Sequence, residues 1–192
     1  MGLDYLALLG RLDEARSEVL AAYHLDPLSQ ILREGCGYVH MLRREYSSAL
    51  RVYQELNDLD PAYYKAYNAT GRVYQLMGRY DESIAMFKRA LELGGTVPSI
   101  VAALAQTLAL AGHRDESRRY LGKLESMQWV PAASVAVVYL GMGDYTHCLD
   151  FLETACEHRE LAVTSLKVHP MYDSLRSEPR FGQLLERVGF LP

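Results

Sequence analysis

Residues 64–93 read YKAYNATGRVYQLMGRYDESIAMFKRALEL, and the rest of the chain copies this pattern. The stretch divides at Gly78. Before it, Tyr67, Gly71 and Tyr74 fall at i, i+4 and i+7, one face of a helix. After it, Tyr80, Ile84, Phe87, Ala90 and Leu91 make a second apolar stripe at helical spacing. A glycine commonly follows a helix because the residue there turns left-handed, which costs a residue with a Cβ about 1–2 kcal/mol. Asp81 and Glu82 place negative charge near the start of the second helix, where the helix dipole favours it. The stretch therefore predicts a two-helix hairpin. Alone it is too small to cover its own apolar stripes, so it needs neighbours.

The neighbours recur at a period of 34 residues. Gly10, Arg44, Gly78 and Gly112 occupy the turn position. The small residue five further on is Ala15, Ala49, Ser83 and Ser117, and the large one after it Val19, Tyr53, Phe87 and Leu121. Ala22, Leu56, Ala90 and Leu124 close each unit, and Asp26-Pro27 and Asp60-Pro61 break the chain between units. After a shift of three residues the series runs once more through Gly143, Tyr145, Cys148, Leu152 and Ala155. Helices are predicted over 13–25, 29–42, 46–58, 63–76, 80–93, 99–111, 114–127, 132–140 and 145–158. Arg44 in place of glycine leaves open how its turn closes.

This helix-turn-helix period, with Tyr67, Gly71, Tyr74, Ser83, Phe87 and Ala90, resembles the tetratricopeptide repeat. The resemblance implies an all-α, right-handed superhelical solenoid of antiparallel helix pairs with a C-terminal capping helix. Its units are a partial first repeat at 1–27, repeats at 28–61, 62–95 and 96–128, a repeat-like unit at 129–158, and a linker with the capping helix at 159–192. Counting back from Gly10, Met1 falls within a first helix, so residues 3–9 read as its remnant. Leu3, Leu6, Leu8 and Leu9 would then lack a cover, and the chain is expected to be part of a longer protein. In the tail, His169-Pro170 and Glu178-Pro179 interrupt helix. Phe181, Leu184, Leu185 and Val188 then recur at i, i+3, i+4 and i+7, an amphipathic helix expected to cover the last pair. The tail wording SLKVHPMYDSLRSEPRFGQLLERVGFLP resembles the C-terminal end of the repeat regions of bacterial multidomain signalling proteins. Those regions follow winged-helix, Ser/Thr kinase or nucleotide cyclase domains.

Composition narrows the class. The chain is 49% apolar and 23% charged, as a folded chain is, and no apolar run approaches the ~20 residues that span a bilayer. The N-terminus, MGLDYLALLGRLDEA, has no basic region ahead of its apolar residues, so no signal peptide is read. A net charge of −4 argues against a nucleic-acid surface. Cys36, Cys148 and Cys156 show neither paired nor metal-ligand spacing, so a reducing compartment, the cytoplasm, is expected.

No motif proposes catalysis. His113-Arg114-Asp115 matches a triplet of the kinase catalytic loop, but that loop needs an Asn five residues after its Asp, where Tyr120 stands here, and a later Asp-Phe-Gly. Asn68-Ala69-Thr70 fits a glycosylation acceptor but lies mid-helix in a chain without a secretion signal. Cys36 and Cys148 fall at buried repeat positions, where a thiol behaves as a small hydrophobe. The six histidines show no i, i+4 pair. No enzyme activity, metal or cofactor is expected. Tyr46, Tyr53, Tyr67, Tyr74 and Tyr80 occupy repeat core positions; Tyr38, Tyr63 and Tyr64 are not explained by the period.

The remaining surface is the inner one. In the family resembled, the first helix of each pair lines a concave groove through its second, fifth, ninth and twelfth positions. These map to Ile31, Glu34, Tyr38 and Met41, then Lys65, Asn68, Arg72 and Gln75, then Ser99, Ala102, Gln106 and Ala109. The candidate partner-binding residues are Tyr38, Met41, Lys65, Asn68, Arg72, Gln75 and Gln106. The row from Lys65 to Gln75 suits a peptide's backbone amides or a carboxylate, with Arg72 able to bind in two-pronged fashion. It does not reproduce the family's carboxylate clamp, since Tyr38 stands where a clamp Asn is expected. The bland alternative is a solvated face with no ligand.

The sequence thus points to a non-enzymatic protein-interaction module that holds a peptide or partner segment in its groove. An alternative is the C-terminal sensory or regulatory region of a bacterial transcriptional regulator or Ser/Thr kinase whose effector domain is not in this chain. A third is self-association through the N-terminal repeat. No contact with nucleic acid or membrane is expected of this chain.

Overall fold

The computed structural model describes residues 6–7 and 9–189, and in it the 34-residue period becomes a row of antiparallel helix pairs. Leu6 and Ala7 are helical and precede α1 (Leu12–Leu25). The following pairs are α2 (Gln30–Leu42) with α3 (Tyr46–Leu59), α4 (Tyr64–Leu76) with α5 (Tyr80–Gly94), α6 (Pro98–Leu110) with α7 (Arg114–Glu125), and α8 (Ala132–Met142) with α9 (Tyr145–Glu157). Two 3₁₀ segments, Leu161–Ser165 and Pro170–Leu175, lead to α10 (Pro179–Arg187). No strand occurs among the described residues. The fold is a helical repeat solenoid. Leu3 and Leu8 of the expected first-helix remnant lie outside the described residues.

The turns inside the pairs close alike. Gly10, Arg44, Gly78, Gly112 and Gly143 all take left-handed backbone. In each, the next amide reaches back to a carbonyl five residues earlier: Arg79 N donates to Tyr74 O at 2.9 Å, Glu45 N to His40 O at 2.9 Å, and His113 N to Leu108 O at 2.8 Å. Arg44, at φ 61°, therefore makes the same turn as the glycines despite its Cβ. Its guanidinium is held by Asp173 of the tail at 2.6 Å, a contact glycine cannot make.

Within a pair, size is matched across the two helices. A Cβ on Gly37 would lie 2.6 Å from the Tyr53 ring, and one on Gly71 would lie 3.0 Å from the Phe87 ring. One period later Ala105 stands opposite the smaller Leu121, and both are buried. The small polar position also repeats a bond: Ser83 donates to the Gly71 carbonyl and Ser117 to the Ala105 carbonyl, each at 2.8 Å. These periodic contacts are why a pattern legible in one hairpin holds along the chain.

Towards the C-terminal end the first helices become core. Every residue of α6 from Ile100 to Ala109 is buried, as is α8 from Ala132 to Val138. The two helices pack so closely that a Cβ on Gly141 would lie 2.6 Å from the Gln106 carbonyl oxygen. A helix buried on all sides needs a cover on its groove face. The tail supplies it.

The sequence reading makes residues 159–192 a linker with a capping helix. The cap is present: Phe181, Leu184 and Leu185 of α10 are buried, and Arg180 pairs with Asp150 at 2.8 Å and Glu153 at 2.9 Å on α9. The connection, however, is structural. Glu160 accepts from the free amides of Ala132 (2.7 Å) and Ala133 (3.0 Å) at the start of α8. Val163 and Leu166 are buried in one cluster with residues of α6, α8 and α9. Val168 then reaches the opposite end, packing on the cluster of Ala7, Ala15 and Val19. The chain turns back through buried Tyr172 and Leu175, pinned by Asp173 to Arg44 and by Arg176, which donates to the Lys167 carbonyl at 2.9 Å. His169 and Glu178 are extended, as the prolines after them demand. The tail thus crosses the concave side to the first pair and returns.

Candidate functional site

Five of the sequence-predicted residues meet at one cavity. Tyr38 and Met41 of α2 and Lys65, Asn68 and Arg72 of α4 line a space of about 690 Å³, together with Ile31, Glu34 and Tyr53. The register explains the meeting, since Lys65, Asn68 and Arg72 stand three and four residues apart on one side of α4. The far wall comes from the tail, through Leu161, Ala162, Thr164, Ser165 and His169. Met41 contributes from within the core, at 3% exposure.

Gln75 and Gln106 do not share this opening; they are 5% and 2% exposed. Their amides are used inside the molecule. Gln75 donates to Thr107 Oγ1 at 2.7 Å, and Gln106 Oε1 accepts from Arg72 Nη1 at 2.8 Å and from Gln75 at 3.3 Å. Thr107 donates in turn to the Ala103 carbonyl at 2.8 Å. The sequence places these glutamines on the groove side. It cannot show that the close packing of α4, α6 and α8, with Gly141 against Gln106, turns these groove positions into core.

Arg72 is the chemical centre of the cavity. Its Nη1 donates to Gln75 Oε1 at 2.6 Å as well as to Gln106, and its guanidinium sits 5.7 Å from the Phe87 ring centre. All these partners are neutral. No carboxylate pairs with Arg72 among the described residues, and burial lowers its pKa to about 10, so it remains a cation at neutral pH. Lys65 stands exposed at the mouth. Glu34, on the opposite helix, accepts from the Tyr63 hydroxyl at 2.7 Å. His169 is buried, and burial together with the nearby Arg72 charge pushes its pKa down to about 3. It is neutral, and its Nδ1 accepts from Met171 N at 3.1 Å.

The tyrosines outside the repeat pattern now have places. Tyr38 lines the cavity, Tyr63 holds Glu34, and the Tyr64 ring fills the space over Gly94, where a Cβ would lie 2.6 Å from it. Burial pushes the Cys148 thiol up to about 12 and raises Cys36 as well, so both are packing groups at neutral pH. Among the described residues no group of three or more His, Cys, Asp or Glu is placed to hold a metal ion, and no helix is long and apolar enough to cross a membrane. Leu161, Ser165 and His169 escape the sequence reading. Their only signal there is the break in period at the tail.

Comparison with known proteins agrees with this architecture. Residues 64–96 match the family model for the tetratricopeptide repeat. A thermophilic tetratricopeptide repeat protein of Thermus thermophilus superposes with a TM-score of 0.68 at 19% identity, covering 95% of this chain and 94% of that one. A tetratricopeptide repeat protein of Parabacteroides merdae gives 0.62 at 18% identity, over 96% of this chain and 80% of its own. Among curated proteins, anaphase-promoting complex subunit 3 of Schizosaccharomyces pombe is 26% identical over 121 residues, and superkiller complex protein 3 of Mus musculus 21% over 166 residues. Those alignments cover 60% and 86% of this chain but only 18% and 10% of the relatives' own lengths. The central hairpin thus matches the tetratricopeptide repeat by sequence, and the described residues have the fold of such repeat proteins.

Proposed function

We propose that this repeat chain is a non-enzymatic protein-interaction module that holds a segment of a partner protein against the concave faces of α2 and α4. The observation that carries this is the convergence of Tyr38, Met41, Lys65, Asn68 and Arg72 on one open cavity, with cationic and amide donors above an apolar floor. Lys65, Asn68 and Arg72 are the anchors. The names of both curated relatives place those proteins in multi-protein complexes, which supports an interaction role. Fold alone does not identify a partner; the site residues do the selecting.

Site-specific photo-crosslinking in cells tests the reading. A crosslinking residue replacing Asn68 should yield a defined protein adduct, while one replacing Lys88, exposed on α5, should not. The same adducts from both positions, or none from Asn68, would remove the groove from the account.

A further inference from the structure

Antiparallel pairs place the links between pairs on one edge of the solenoid and the turns within pairs on the other. Among the described residues, large apolar side chains left in water fall mostly on the first edge. Leu25, Leu28, Ile31, Leu59 and Trp129 stand in the links or within two residues of them, while Met77 and Leu110 at the turns are less exposed. We propose that the edge at the first two links is a second docking surface, for a basic amphipathic helix of a partner protein. The helix covers Leu25, Leu28 and Leu59 with its apolar side chains and meets Asp26, Asp58 and Asp60 with Lys or Arg. None of these six residues lines the cavity of α2 and α4, so either surface can be occupied without the other.

Bonds between the links make them one surface. Gln30, at the end of the first link, donates to Asp60 of the second at 3.3 Å. Arg33 ties the Pro27 carbonyl (3.2 Å) to Glu55 of α3 (3.1 Å), and Val19 of α1 and Val52 of α3 meet in one cluster. A lone surface leucine is ordinary, but Leu25 at 89%, Leu28 at 90% and Leu59 at 64% exposure on adjoining links form a patch that is more stable covered than in water. Neighbouring helices stack about 8–10 Å apart, close to the span of about 10 Å from i to i+7 along a helix. One helix can therefore set an apolar residue on each link.

Charge selects the occupant. Asp26 and Asp58 are exposed, and Asp60 accepts from neutral donors, Gln30 and the Ala62 amide (3.0 Å). Among the described residues no Lys, Arg or His pairs with any of the three, and Arg33, the cation tied to the first link, is engaged by Glu55. The last turn of α3 holds Asp58 and no basic residue, where the helix dipole favours a cation. A basic partner supplies the missing charge. The same carboxylates repel an anionic lipid surface. A second copy of the chain fits poorly, because the basic face of α7, with Arg118, Arg119 and Lys123, carries no large exposed apolar side chain to cover the leucines.

The test is fluorescence anisotropy of a labelled helical peptide with Leu at i, i+3 and i+7, Lys on the flanks and Ala elsewhere, titrated with the full chain. The peptide should bind. Leu28→Ser with Leu59→Ser should weaken it by at least about tenfold. Asp26→Asn with Asp58→Asn should weaken it several-fold at low salt and flatten its salt dependence. Asn68→Ala, in the groove, should leave it unchanged, and a peptide with Glu in place of Lys should not bind. The four edge substitutions change exposed side chains, so thermal melts should match wild type. No binding, or a loss in fewer than both edge variants, overturns the proposal; so does equally tight binding of a peptide with Gln in place of Lys. Weakening by Asn68→Ala alone would put the peptide in the groove, so that the edge surface falls and the groove reading stands. Co-sedimentation with phosphatidylserine vesicles, or self-association in light scattering, that Leu28→Ser abolishes would assign the patch to lipid or to a second copy and overturn the proposal as well.

Discussion

At the scale of single residues, Arg44 shows how a departure from a pattern carries information. Its left-handed backbone costs about 1–2 kcal/mol relative to glycine, and its side chain reaches Asp173 in return. Once Asp173→Ala removes that partner, Arg44→Gly is expected to stabilise the protein by about 0.5–1 kcal/mol, allowing for glycine's extra freedom when unfolded. Denaturant unfolding of the two single variants and the double variant measures it; no gain in the Asp173→Ala background would show that the turn is unstrained. His169 yields a pH prediction. Burial and Arg72 depress its pKa to about 3, against a small opposing effect of Asp173, whereas the unfolded chain titrates near its usual 6.5. Between these values the unfolded state binds more protons. The contribution is therefore complete above about pH 6.5 and is lost as pH falls towards 3, at about 1.4 kcal/mol per pH unit. His169→Gln keeps an acceptor for Met171 N and cannot titrate, so its stability should decline less than that of wild type between pH 6.5 and 5. Parallel curves for the two proteins would mean that His169 is not held neutral. Of these residues the sequence made Arg44 conspicuous but not its partner, because nothing in a 34-residue period connects position 44 to position 173. Lys65, Asn68 and Arg72 were legible for the opposite reason: helical register alone places them on one side of α4.

Between elements, the question becomes how close two helices can come. Local periodicity reveals each hairpin, because its contacts lie within one repeat and recur in the next. It does not reveal the approach of α8 to α6, which depends on Gly141 lying against the Gln106 backbone. Gly141→Ala should destabilise the chain by about 1–3 kcal/mol, since a Cβ 2.6 Å from a carbonyl oxygen forces one helix to shift. Gly182 within α10 is the control. A Cβ there meets nothing within 4 Å, so Gly182→Ala should stabilise by up to about 1 kcal/mol through helix propensity. Thermal melts of the two variants should move in opposite directions. If both rise, α6 and α8 have room that their burial conceals. The same contrast explains the misplaced glutamines: Gln75 and Gln106 sit at groove positions by register, yet the packing around α6 leaves them no solvent.

For the whole molecule, the return path of the tail changes what kind of solenoid this is. Repeat arrays are close to one-dimensional: each unit contacts only its neighbours, so ends open independently of one another. Here one segment touches both ends, through Val168 on the cluster of Ala7, Ala15 and Val19, and through Leu175 in the cluster of α8, α9 and α10. Loosening the tail at one end should therefore be felt at the other. Leu175→Ala creates a cavity at a fully buried position, with an expected cost of about 2–5 kcal/mol. Native-state hydrogen exchange should then show faster exchange in α1 as well as in α9, by an amount corresponding to about 1 kcal/mol or more, while the α4–α5 turn around Gly78 keeps its rate. In an open solenoid α1, four hairpins away in sequence, would not respond. Unchanged protection of α1 beside a clear loss in α9 would show that the tail only decorates the groove and does not tie its ends together.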